Sequence, residues 1–206
     1  MTIAQIRQLS DKTLYVALQG ALTSKGYKFF DKGNYNLNLI GIRSGARQAG
    51  KFDDLFCVAY RDMGLEVVKR YECTTDAGTY WMQNPMNKKG TSMLVPGQYD
   101  KAYKIGKHKG YSALVQSAPL NVWRDNNKDI ILDTNVESEW GMFGVNIHRA
   151  AAEGKSTINS KWSAGCQVLS SSDDFKELMK IANRSVKIHG DSFTYTLIEE
   201  NDVRLF

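Results

Sequence analysis

The chain has 206 residues, 42% apolar and 24% charged, with 27 Lys and Arg against 22 Asp and Glu and a formal charge of +5. This balance suits one globular domain, with or without a small helical addition, that can build a core without metals or disulfides. No apolar run approaches the length of a membrane span, so no membrane insertion is expected, and the modest basic excess comes without the long Lys/Arg run of a nucleic-acid tail.

The opening residues MTIAQIRQLSDK lack the basic start, apolar stretch and small-residue cleavage site of a secretory signal. The chain as given is therefore expected to be made in the cytoplasm without one. Residues 2–9 read as a short helical lead-in. Residues 11–25 read as an amphipathic helix, because Leu14, Ala17, Leu18, Ala21 and Leu22 recur at helical spacing between a Ser10 or Asp11 cap and Gly26. Residues 1–30 are taken as a lead-in and 31–206 as the main domain.

From about residue 34 the pattern changes. YNLNLIGI (35–42), LFCVAY (55–60) and LEVVKRYEC (65–73) are rich in β-formers and broken by polar turns. GTSMLVPGQY (90–99) and YSALVQ (111–116) continue the theme. The glycine-rich basic stretch 41–51 does not fit the phosphate-loop pattern and reads as a mobile solvated loop. Cys57 and Cys73 lie in apolar or strand-like settings and read as structural thiols. Residues 121–133 read as a hairpin turning near Asp125, Asn126 and Asn127. MFGVNIHRA (142–150) is a strand, 172–183 a helix capped by Ser171 or Ser172, and SFTYTLIE (192–199) a closing strand. The expected class is mainly β with a few helices, α+β.

In GVNIHRA, alternation puts Val145 and Ile147 on one face and Asn146 and His148 on the other. An apolar pair facing the core would turn Asn146 and His148 toward a cleft. A lone histidine there is also compatible with a structural role. Downstream, Cys166 follows the small residues Ser163, Ala164 and Gly165, which allow close backbone approach to a substrate and whose N–H groups could form an oxyanion hole. A buried thiol beside a glycine turn is the bland alternative. His108 and His189 read as surface residues, His108 with some prospect of lining the cleft. Trp140 and Trp162 could floor a substrate groove or pack in the core.

Together, His148 and Ser163-Ala164-Gly165-Cys166-Gln167, followed by a helix, resemble the catalytic domain of the L,D-transpeptidase (YkuD-type) family. That family's motif is a His, a short gap, then Ser/Thr-His-Gly-Cys and usually Arg or Asn. The likeness covers roughly residues 140–180. Ala164 stands where the family has His, Gln167 where it has Arg or Asn, and Arg149 and Ala150 where Gly is frequent.

The resemblance implies a sandwich-like sheet core and acyl transfer on the peptide part of bacterial cell-wall peptidoglycan, without a cofactor or metal. Cys166 would be the nucleophile, His148 the base, and the Arg149 backbone carbonyl the group that orients it. Gly165 would supply an oxyanion N–H. Ser163, Ala164, Gln167, Asn146, Trp140 and His108 would meet the substrate, the wall's stem peptides.

A hydrolase of the phage-lysin kind, monomeric and acting on the wall after release, is the expected form. A crosslinking or exchanging transpeptidase is the alternative. A non-catalytic basic module, suggested by YDKAYKIGKHKGY (99–111), is the reading from another class, although no nucleic-acid partner is expected.

Overall fold

A computed structural model gives the structure of the chain, describing residues 1–134 and 136–205. Helix α1 (Ile3–Arg7) is closed by a reciprocal capping box between Thr2 and Gln5. Helix α2 (Asp11–Ser24) is capped by Ser10, whose hydroxyl accepts the Thr13 N–H. Its stripe of Leu14, Leu18, Ala21 and Leu22 is fully buried, as the helical spacing requires. Strands β1 (Asn38–Arg43), β2 (Asp54–Asp62) and β3 (Leu65–Thr74) follow, then a short helix α3 (Thr79–Gln83). Next come β4 (Thr91–Leu94), β5 (Gly97–His108), β6 (Tyr111–Gln116), β7 (Leu120–Asp125), β8 (Ser138–Gly141), β9 (Ile147–Arg149) and β10 (Gln167–Leu169). Helix α4 (Ser172–His189) and strand β11 (Phe193–Glu199) complete the order before a last 3-10 turn at Glu200–Asp202.

The mainly-β, α+β class is thus observed. Eight strands close a barrel in the order β1, β11, β5, β6, β9, β10, β3, β2, and β4, β7 and β8 form a separate three-stranded sheet. An eight-stranded barrel has an interior that side chains can fill. Here Tyr99, Tyr103, Tyr195, Phe56, Leu114, Ile147 and Leu169 form one continuous core with Phe175, Leu178, Met179 and Ala182 of α4.

Strand β1 is buried along its whole length because both of its faces are covered. Leu39 faces the barrel interior, while Ile40 and Ile42 pack against α1 and α2 on the outside. The lead-in therefore shares a core with the barrel wall. Gly41 is required where it stands, since a Cβ there would collide with the Tyr195 hydroxyl.

Three sequence expectations need correction. The stretch 41–51 is not simply a solvated loop. Its first residues belong to β1, and Arg43 is almost wholly buried. The Arg43 guanidinium pairs with Asp76 at 2.9 Å and donates to Thr75 and to the Leu94 carbonyl, which satisfies the buried charge. Residues 121–133 do not form a hairpin. Strand β7 pairs with β4 and β8, and the segment after it crosses to 47–49 instead. The Asp125 carboxylate, accepting the Asp133 N–H, turns the chain there. The helix expected at 172–183 runs on to His189, because Ser185 is also buried and Lys187 and His189 suit its carbonyl end. Among the described residues no helix is long and apolar enough to cross a membrane.

Candidate functional site

Strands β9 and β10 are parallel neighbours, with Ile147 level with Gln167 and His148 level with Val168. Alternation then sorts the side chains. Val145, Ile147 and Leu169 enter the main barrel core, while Val168 and Cys166 pack with Phe52 and Ala150 elsewhere. His148 and Cys166 consequently lie on the same side of the sheet as diagonal neighbours. Residues 142–146 are not regular strand, so only the end of the expected strand is hydrogen-bonded as one.

The Cys166 thiol is held by backbone. Asn146 N–H donates to Sγ at 3.3 Å, and the thiol donates to the Gly144 carbonyl at 3.5 Å. Burial pushes the thiol up to about 11, against the lowering effect of the Asn146 N–H and of Lys109. His148 is 3% exposed, and its Nδ1 lies 2.7 Å from the Arg149 carbonyl. An acceptor there places the proton on Nδ1 and leaves Nε2 with its lone pair. Burial draws the imidazole down to about 4; the Arg149 hydrogen bond opposes this, while His108 and Lys109 add to it. The resting pair is therefore a neutral thiol and a neutral imidazole, and the thiol's hydrogen bonds go to the 144–146 backbone instead of the ring.

Around this pair the other candidates separate. Ser163 is fully buried, its hydroxyl donating to the Cys166 carbonyl and accepting the Gly165 N–H, so it staples the turn. The Gly165 N–H is occupied by that bond, which leaves the Cys166 N–H as the oxyanion donor to consider. Gln167 is buried, and its Oε1 accepts the Tyr195 hydroxyl at 2.8 Å inside the barrel. It serves the core where substrate contact was expected. Ala164 lines a cavity of about 300 Å³ with Ser92, Arg124, Met142 and Phe143. Trp140 and Trp162 are 66% and 41% exposed, so the core role considered for them does not hold. His189 is exposed, as expected.

His108 is the largest departure. Its ring stacks on His148 with centroids 4.2 Å apart and planes 14° apart, and its Nδ1 lies 3.1 Å from the Asn146 side-chain nitrogen. Lys109 and Gly110, both at positive φ, form the two-residue turn that joins His108 to its strand partner Tyr111. The sequence KHKGY carries that hairpin signal. Its distance in sequence from residue 148 hid the meeting of the two rings. Arg124 and Gly144 were not singled out beforehand, and no local pattern marks either.

Among the described residues, no group of three or more His, Cys, Asp or Glu is placed to hold a metal ion. No family model, curated protein or solved structure matches the chain.

Proposed function

We propose that the protein is a cysteine acyl transferase that hydrolyses amide bonds in the peptide part of peptidoglycan, with Cys166 as nucleophile and His148 as base. The observation that supports it most is the joint placement of the two side chains on one face of paired strands, with His148 Nδ1 tied to the Arg149 carbonyl, which leaves the lone pair on Nε2. The substrate class rests on the L,D-transpeptidase resemblance of residues 140–180, as does the suggestion that the barrel corresponds to that family's sheet core.

As the thiol is neutral at rest, its proton passes to His148 Nε2 as Sγ attacks the amide carbonyl. The Cys166 N–H faces the developing oxyanion. The C–N bond then breaks, and the leaving amine takes the proton from His148. Water, deprotonated by the same imidazole, releases the acyl group as a carboxylic acid and restores the thiol. Water is favoured over an amine acceptor because Ala164 offers no hydrogen-bonding side chain and Gln167 is turned into the barrel. These are the two positions where the family carries polar groups beside the acyl-enzyme.

The test is mass spectrometry of defined tetrapeptide muropeptides incubated with the enzyme and excess amine. Shortened monomers are expected, and Cys166→Ala should abolish them while remaining folded. Wild-type turnover in that variant would overturn the nucleophile, and dimers or amine-exchanged products as the main species would overturn hydrolysis.

One observation favours binding to an anionic polymer as a second reading. A groove of about 620 Å³ beside α4 has Tyr111, Phe175 and Met179 on its floor and Arg149, Lys180 and Lys187 around it. Salt-sensitive binding that survives Cys166→Ala, with no product formed, would support that reading.

A further inference from the structure

We propose that His108 is a positioning residue for the thiol–imidazole pair. Stacked on His148 and hydrogen-bonded by Asn146, it fixes the ring that accepts the Cys166 proton and the backbone that donates to Sγ. This rests on the reading of Cys166 and His148 given above.

The argument begins at Asn146. Its Oδ1 accepts the Gln116 N–H at 2.9 Å, which settles the orientation of the amide. Its Nδ2 therefore faces His108 Nδ1 at 3.1 Å, and an amide nitrogen can only donate. His108 Nδ1 must then carry a lone pair, so the ring is neutral with its proton on Nε2. Among the described residues, that Nε2 is buried without a partner. The ring's orientation is thus imposed by the stack and by Asn146, and not by a second hydrogen bond of its own.

The neutral state matters because His148 has to become positive when it takes the thiol proton. A charged His108 stacked at 4.2 Å would oppose that, which is the sense in which its charge lowers His148, whereas the neutral ring imposed by Asn146 carries no such charge. The groups facing His108 are His148 from β9, Tyr111 from β6 at 5.6 Å between centroids, and Lys109 in the turn, with Arg149 lying over Tyr111. Burial, and then Lys109, draws His108 below its ordinary value, in keeping with a neutral ring.

His148 is in this way held along two directions. The Arg149 carbonyl fixes it in the ring plane, and His108 fixes it across the face. Asn146 links both partners, its side chain reaching His108 while its backbone N–H reaches Sγ.

The experiment is long-range proton–nitrogen correlation spectroscopy of the full chain, combined with iodoacetamide labelling of Cys166 read by peptide mapping. The expected wild-type spectrum shows His108 protonated on Nε2 and His148 on Nδ1. In His108→Ala, the His148 tautomers should mix and Cys166 labelling at neutral pH should slow about fivefold, the scale of a lost ring stack. His108→Phe keeps a flat ring, so it should retain the His148 tautomer and label within about twofold of wild type by the same reasoning. Asn146→Asp keeps an acceptor for Gln116 but presents an acceptor to His108, so the proton should appear on His108 Nδ1.

An unchanged His148 tautomer with unchanged labelling in His108→Ala overturns the proposal, as does a wild-type His108 protonated on Nδ1. Should His108→Ala not fold, Asn146→Asp decides, and a His108 tautomer unmoved there counts against the proposal. Spectra and labelling that behave as expected in a protein that cuts no muropeptide would leave the positioning role standing and remove the proposed activity.

Discussion

At the scale of single residues, the thiol chemistry is set by burial. Cys166 is pushed up to about 11 and His148 down to about 4, so neither is charged at neutral pH. A preformed thiolate–imidazolium pair would label at a rate that levels off above its low thiol value. The neutral pair should instead label faster with each step of pH from 7 to 10 without levelling, and His148→Ala should slow it by removing the base. A plateau beginning near pH 7 in the Cys166 peptide would sink this account. Cys57, also forced up to about 12 by complete burial, should stay unlabelled in the folded protein. Alternation in the sequence marked the side of the strand on which His148 lies, whereas Cys166 was singled out by its small-residue turn and joined to His148 only through the family resemblance. The inward turn of Gln167 follows the same alternation, but a family pattern that places a polar group there points the other way.

At the scale of elements, the turn that delivers Cys166 depends on one glycine. Gly165 has φ +119°, a conformation that side-chain-bearing residues rarely adopt. A Cβ there would also lie 2.5 Å from the Ser92 carbonyl oxygen of β4. The turn is therefore pressed against the small sheet, which locks the position of the nucleophile. Gly165→Ala should cost about 3 kcal/mol or more from backbone strain and overpacking together. That corresponds to a fall in Tm of roughly 6 °C or more for a chain of this size. Thermal unfolding checks it, and a Tm within a degree of wild type would show that the turn can move away from β4. Helix α2 was read within a residue of its true ends because its apolar spacing and Ser10 cap agree. The path of 126–133 was not, since Asp125 and the Asn pair mark a turn without saying where the chain goes next.

At the scale of the whole molecule, closure of the barrel was invisible in the sequence. It depends on β1 pairing in parallel with β11, Leu39 beside Tyr195, across most of the chain length. Near that seam the barrel buries Arg43 against Asp76, with Asp54 joined to it through the Thr75 hydroxyl, and this has a consequence for stability. Asp54 accepts N–H bonds from Ser44 and Thr75 as well as the Thr75 hydroxyl, and Asp76 pairs with Arg43. Burial, and then the charge of Asp76, pushes Asp54 up to about 7. In the unfolded chain the same carboxyl titrates near its ordinary value of 3.8. Between these two values the folded state holds more proton than the unfolded state, so stability falls as pH rises through about 7. His148 and His108 run the other way, since their depressed values make the unfolded state the better proton acceptor, an effect that fades as pH rises past their ordinary 6.5. The buried thiols act when unfolded cysteine ionises near 9.0. From pH 6.5 to 8 the Asp54 contribution is a decline of about 1 kcal/mol, or roughly 2–4 °C of Tm, which the histidines partly offset, so it is read as the difference between the wild type and a variant that shares those histidines. Asp76→Asn removes the second of the two causes that raise Asp54, leaves its burial, and keeps an oxygen for Arg43, so melting curves of this variant should decline less across that window than those of the wild type. An equal decline in both would mean that the Arg43 cluster is not the source of the pH dependence.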